Sequence, residues 1–217
     1  MKIGILGGTF NPVHLAHLRI AEEVREQFGL ERIIFVPAGT PPHKPLAGEL
    51  PFEMRFAMVE LAISDNPLFA ISDMEGRRGG KSYLIDTLHE LRLAYPHDEL
   101  YFIMGSDSFT DIGSWRDYAG FFSLCNMVVV TRPGAPILAL KNALPVAIAN
   151  EFCYYDAENR LAHQSGYSVY FTEGTLLAIS SSAIRQLAEL GRSIKYLVPA
   201  AVEHYIEKQR IYAKKSR

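Results

Sequence analysis

Along the chain, short apolar runs alternate with longer segments in which apolar residues recur every three or four positions. The runs at 3–6, 33–36, 69–72, 100–104, 127–130 and 169–171 predict strands. Those at 100–104 and 127–130 are apolar throughout rather than alternating, the pattern of strands covered on both faces. Between them, Leu18, Ala21, Val24 and Phe28 predict a helix over 15–28 that stops at Gly29. Phe52, Phe56, Val59 and Ile63 predict a second helix, and Ile85, Leu88 and Leu91 a third over 83–93. Two more follow at 182–190 and 199–209. Strand–helix alternation implies a parallel sheet with helices on both faces, and ligands in such sheets bind outside the carboxyl ends of the strands. The stretch 37–51, with five prolines and two glycines, predicts a long loop.

The chain has 217 residues, 48% of them hydrophobic, which fits one α/β domain spanning 1–217 with a basic tail at about 210–217. The net charge of −2 gives no global attraction to nucleic acid or a membrane surface. No apolar run is long enough for a transmembrane helix, and the glycine-broken start does not resemble a signal peptide. Cys125 and Cys153 lack metal or redox spacing, which favours a reduced, cytoplasmic setting.

Chemistry concentrates after the first strand, in Gly7-Gly8-Thr9-Phe10-Asn11-Pro12-Val13-His14-Leu15-Ala16-His17. Two glycines allow close backbone approach to a ligand. Cationic His14, His17 and Arg19 in the first turns of a helix would oppose the macrodipole, a placement that an anion such as phosphate would reconcile. A zinc pair is the alternative for the histidines, but no Cys, Asp or Glu nearby completes a ligand set. Two surface histidines are a second alternative. A dinucleotide GxGxxG fails at Leu6, and a Walker loop before Lys81-Ser82 fails at Glu75. The other rich segment is Ile179-Ser180-Ser181-Ser182-Ala183-Ile184-Arg185. Helix capping explains one of its serines; three hydroxyls with Arg185 one turn on suggest a second anion site.

Together these segments resemble the nucleotidyltransferase superfamily, whose (H/T)xGH-type and ISSTxIR motifs they match with Ala16 for Gly and Ser182 for Thr. Pro41-Pro42-His43-Lys44, the 80–88 stretch, Met104-Gly105-Ser106-Asp107, Trp115 and Thr131-Arg132-Pro133-Gly134 narrow the resemblance to bacterial nicotinate-mononucleotide adenylyltransferases, with Leu84 and Ser106 departing from the usual pattern. The resemblance implies a single Rossmann-like nucleotidyltransferase domain with a small C-terminal helical extension. It implies transfer of AMP from ATP to nicotinate mononucleotide, giving deamido-NAD and pyrophosphate, with Mg²⁺ accompanying ATP. His14, His17, Lys44 and Arg185 would be catalytic. ATP would meet Gly7, Gly8, Thr9, Phe10, Gly105, Asp107, Ser180, Ser181 and Ser182 besides the histidines and Arg185. The acceptor would meet Lys44, Ser82, Tyr83, Trp115 and Arg132. On local grounds alone Trp115 could be core, Asp107 a helix cap, Arg132 a salt-bridge partner and Lys44 a solvated loop residue. The alternatives are transfer to nicotinamide mononucleotide, dual specificity, another phosphate acceptor such as phosphopantetheine, and a nucleotide-binding regulatory module. No nucleic-acid or membrane partner is expected, and oligomeric state is open, a homodimer included.

Overall fold

The computed structural model describes residues 1–41, 50–131, 143–175 and 177–213. Its first strand, β1 (Lys2–Gly8), lies between β2 (Arg32–Pro37) and β4 (Glu99–Gly105), parallel to both, with Ile5 opposite Ile34 on one side and Phe102 on the other. β1 runs further than the apolar pattern indicates: Gly7 and Gly8 still pair with Val36 and Pro37. β3 (Phe69–Ile71) extends one flank; β5 (Asn126–Thr131) and β8 (Ser168–Glu173) extend the other, giving the order β3-β2-β1-β4-β5-β8-β7-β6.

The expectation of a wholly parallel sheet needs correction at its far edge. β7 (Arg160–His163) is antiparallel to both β8 and β6 (Phe152–Tyr155). Both are four-residue strands buried on one face only. In Phe-Cys-Tyr-Tyr that inside–outside alternation is invisible, because the exposed Cys153 and Tyr155 are themselves apolar in character.

Because the central strands are parallel, alternate side chains enter separate cores. Phe102 and Met104 face α4 (Leu84–Ala94) through Leu88 and Leu91. Tyr101 and Ile103 face the side formed by α1 (Leu15–Phe28), α2 (Phe52–Ile63) and the late helix α7 (Ala200–Lys208), whose Val202 and Ile206 join Met58 and Val59. Two five-residue helices, α3 (Met74–Arg78) and α5 (Ser106–Thr110), are too short to show a period; α6 (Ser181–Glu189) follows β8. No helix among the described residues is long and apolar enough to cross a membrane.

The chain leaves β1 toward β2 and β3, then crosses back to β4 and β5, so strand order reverses between β1 and β4. The crevice at that reversal, beyond Gly8 and Gly105, is where an open α/β sheet admits a ligand.

α1 ends at Gly29, which has φ +61°, and a Cβ there would touch nothing within 4 Å. Gly29→Ala therefore isolates the left-handed backbone penalty and should destabilise the protein by about 1 kcal/mol. Urea unfolding checks this, and an unchanged midpoint would contradict the cap's role.

Candidate active site

The turn leaving β1 is built by side chains from far along the chain. Gly8 is required beneath it, since a Cβ there would lie 3.0 Å from the ring of Phe10, itself buried and at positive φ. Three carbonyls of the turn accept hydrogen bonds from side chains elsewhere in the protein. Arg55 Nη1 donates to Thr9 O at 2.8 Å, Arg185 Nη1 to Asn11 O at 2.7 Å, and Ser181 Oγ to Pro12 O at 2.9 Å. Tyr212 OH donates to Asn11 Oδ1, and the first helical N–H, of Leu15, to Leu197 O. The two motifs that the sequence placed at opposite ends of the chain therefore meet here.

His14 and His17 stack at 3.7 Å, and the N–H of His14 donates to His17 Nδ1 at 3.2 Å. The cationic histidines expected from sequence need correction. Burial lowers His14 to a pKa of about 4; burial, and then the neighbouring His14, lower His17 to about 3. Both are neutral at pH 7. With Nδ1 accepting, the proton of neutral His17 resides on Nε2, which makes that atom a hydrogen-bond donor. Among the described residues His14 Nδ1 is buried without a hydrogen-bond partner. The fixed cations of this cluster are Arg185 and, underneath the turn, Arg55.

Each serine before α6 has a separate contact. Ser180 Oγ caps the helix by accepting from the N–H of Ala183; Ser181 holds Pro12; Ser182 Oγ accepts from Arg185 Nη2 at 3.1 Å.

A cavity of about 540 Å³ opens at the strand-order reversal. Gly7, Gly8 and Thr9 line it from the end of β1; Ser82, Tyr83, Leu84 and Thr87 form a second wall at the start of α4; Asp107, Asp111, Trp115 and Arg116 line it from beyond β4. The Ser82 side chain is committed to this wall: Oγ accepts from the N–H groups of Gly39 and Thr40, while its own N–H donates to Thr40 O. Trp115 is half-buried, with its ring 6.2 Å from Phe121 and edge-on to it, and it also borders the cavity, so it belongs to core and site alike. Arg116 lies over the Tyr83 ring at 4.8 Å. Behind the wall, Thr87 Oγ1 donates to Glu75 at 2.6 Å and accepts from Arg78, which also binds Glu90. Lys44 and Arg132 lie outside the described residues. Among the described residues no three His, Cys, Asp or Glu gather as a metal site.

The sequence reading missed Arg55, Glu75, Arg116, Asn11 and Tyr212. Arg55 had a signal: it stands three residues after Phe52 and four before Val59, a lone charge on an apolar helix stripe.

Residues 5–187 match the cytidylyltransferase-like family. The chain is 73% identical over 212 residues to "Probable nicotinate-nucleotide adenylyltransferase" of Geotalea uraniireducens, covering 98% of each chain. It is 65% identical over 213 residues to the protein of the same name from Geobacter sulfurreducens, covering 98% and 99%. Among solved structures it resembles Plasmodium falciparum nicotinic acid mononucleotide adenylyltransferase complexed with NaAD, with a TM-score of 0.74 over 97% of both chains at 20% identity, a likeness of fold.

The lowered histidine pKa values have a consequence for stability. Below pH 6.5 the unfolded chain takes up protons that the folded histidines refuse until about pH 4 and 3, so stability falls as pH drops. One such histidine accounts for about 2 kcal/mol between pH 7 and pH 5. His17→Asn, whose Oδ1 can still accept from the N–H of His14, should lose about that much less than the parent over this interval. Urea unfolding at both pH values measures it, and parallel losses would show that His17 is not held neutral.

Proposed function

The chain belongs to the cytidylyltransferase-like family, among its nicotinate-nucleotide adenylyltransferases, and we propose on that premise that it joins ATP to nicotinate mononucleotide, giving deamido-NAD and pyrophosphate. The observation that carries this reading is that the glycine turn and the start of α4 with Trp115 line one and the same cavity. Both substrates thus have a wall in one chamber.

A phosphate oxygen of the mononucleotide attacks the α-phosphorus of ATP, and the bond to the β-phosphate oxygen breaks. The second pKa of such a phosphate is near 6, so the nucleophile is already ionised at pH 7 and needs no general base. Positioning and charge stabilisation are what remain for the protein. His17 donates its Nε2–H to the phosphates as a neutral imidazole, with His14 beside it; anion binding would raise both pKa values toward the charged form. Arg185 and Ser182 receive the β- and γ-phosphates at the mouth of the turn, where Ser180 opens α6, while Ser181, whose hydroxyl proton goes to Pro12 O, contributes its backbone N–H. Gly105 and Asp107 take the adenosine, Trp115 stacks on the pyridine ring, and the first turn of α4 after Tyr83 faces the acceptor's carboxylate. Ser82 acts through the wall that it holds. Magnesium would accompany the polyphosphate. Asp107, Asp111 and Glu75 border the cavity without forming a ligand group among the described residues, and phosphate oxygens and water would hold the ion.

Pyrophosphate release from ATP, measured with nicotinate mononucleotide, nicotinamide mononucleotide and phosphopantetheine in turn, tests the reading. The carboxylate and the amide are nearly isosteric, but an amide NH₂ facing the helix N–H groups leaves donors unpaired, at roughly 1–3 kcal/mol per mismatch. With the dipole of α4 added, kcat/KM should favour nicotinate mononucleotide about 10²-fold. Comparable values would replace this reading with dual specificity. His17→Ala should lower kcat roughly 10²-fold with a smaller effect on the KM for ATP. Turnover within threefold of the parent would remove His17 from the phosphate site.

A further inference from the structure

Arg55 is completely buried, with 0% exposure, yet its hydrogen bonds go to no carboxylate among the described residues. All three kinds of guanidinium nitrogen donate to backbone carbonyls instead: Nε to Leu50 O at 3.4 Å, Nη1 to Thr9 O at 2.8 Å and Nη2 to Gly39 O at 2.8 Å. These carbonyls belong to three segments: the turn after β1, the chain after β2, and the approach to α2.

Packing alone is a poor explanation. A buried charge without a counter-charge opposes folding, and an apolar side chain of similar volume generally serves a core better. What an apolar residue cannot do is hold three carbonyls at fixed spacing or leave a positive charge under the turn. Both properties act on the cavity. Thr9 lies on its nucleotide wall. Gly39, whose N–H donates to Ser82 Oγ, connects to the second wall, and a Cβ at Gly39 would come within 2.5 Å of Glu75 O, so this junction is close-fitting. Arg55 is thus a side-chain link between the two walls, through Thr9 O, the guanidinium, Gly39 and Ser82, beside the backbone link in which the N–H of Ala38 donates to Gly8 O.

We propose that Arg55 is a positioning residue for group transfer: its three-way tie helps to fix the distance between the nucleotide wall and the acceptor wall, and its charge, hydrogen-bonded to carbonyls rather than to a carboxylate among the described residues, favours polyphosphate on the turn. The assignment of the transferred group rests on the adenylyltransferase reading above. Arg55 touches no reacting atom. Its effect is on how the two walls, and hence the two substrates, stand relative to each other, where a misplacement of about 1 Å costs on the order of 10²-fold in rate.

Two substitutions separate the two properties. Arg55→Lys keeps the charge but supplies a point donor in place of the fork. Provided that thermal unfolding shows it folded, it should keep the KM for ATP within about threefold and lose roughly 10- to 100-fold in kcat. Arg55→Met removes the charge as well, and should further weaken ATP binding roughly tenfold by calorimetry. A folded lysine variant with parental kcat would overturn the positioning role. A folded methionine variant that binds ATP like the parent would overturn the charge role, and activity falling only in proportion to the folded fraction would reduce Arg55 to a structural residue. Should the methionine variant not fold, ATP affinity of the lysine variant across ionic strength decides the charge role: parental affinity and salt dependence support it, and a loss of both overturns it. If the unmodified protein releases no pyrophosphate with any mononucleotide, the adenylyltransferase reading fails by itself, while the ATP titrations still judge Arg55.

Discussion

The structure depends on how the carbonyls of one turn are disposed. A turn that receives an anion must keep its carbonyl oxygens away from that anion, since each presents the negative end of a dipole. Here Thr9 O, Asn11 O and Pro12 O all accept from donors on α2 and α6. Two of these donors are guanidinium groups, whose charge-assisted hydrogen bonds are about twice as strong as neutral ones. Sequestering the carbonyls and supplying positive charge are therefore one act. It also explains why α6, following the last strand of the sheet, must return to the end of β1: without it, Asn11 O and Pro12 O would lose their partners. The C-terminal segment is drawn in for the same reason, through Tyr212 on Asn11 and Leu197 on the first N–H of α1.

The same burial that organises the turn removes charge from its histidines. A pair of imidazoles stacked at 3.7 Å and largely shielded from water cannot both be protonated near neutrality, since desolvation and mutual repulsion act in the same direction. In exchange the pair gains definition. The bond from the His14 N–H to Nδ1 selects one tautomer of His17, and a donor of fixed direction needs little reorganisation when charge develops beside it. Cation and oriented donor are thereby divided between residue types: guanidinium for charge, imidazole for direction.

Much of this was legible in the chain and some was not, for definite reasons. Strands covered on both faces announce themselves as unbroken apolar runs, so β2, β4 and β5 were plain. β6 carries Cys153 and Tyr155 on its exposed face, and β7 buries the polar His163 while leaving Ala162 half-exposed, so neither gave a clean alternation. Gly7 and Gly8 suggested a turn because glycine disfavours strands, but pairing with β2 and close approach by Phe102 and Phe10 keep them in the sheet. The residue types of the histidine–serine–arginine cluster were legible from spacing. The charge state of the histidines was not, because desolvation belongs to the folded surroundings. Ser82 shows the same limit: position predicted its place on the wall, but only the fold shows that Gly39 and Thr40 occupy its hydroxyl.

That occupied hydroxyl carries the argument into acceptor choice. With Oγ accepting two N–H groups and its own N–H spent on Thr40, Ser82 can offer a substrate only its hydroxyl proton besides the position of the backbone that follows it. Recognition at this wall therefore falls to the first turn of α4, which carries no side-chain cap, and to Arg116 above Tyr83. The helix terminus brings partial positive charge of fixed direction, whereas Arg116 is exposed, shared with Asp86 and Asp117, and screened by solvent. Selectivity between a carboxylate and an amide must then come mainly from the backbone. Leu84 has no polar side-chain group, but its N–H belongs to that first turn, so an apolar side chain at this position is compatible with carboxylate recognition.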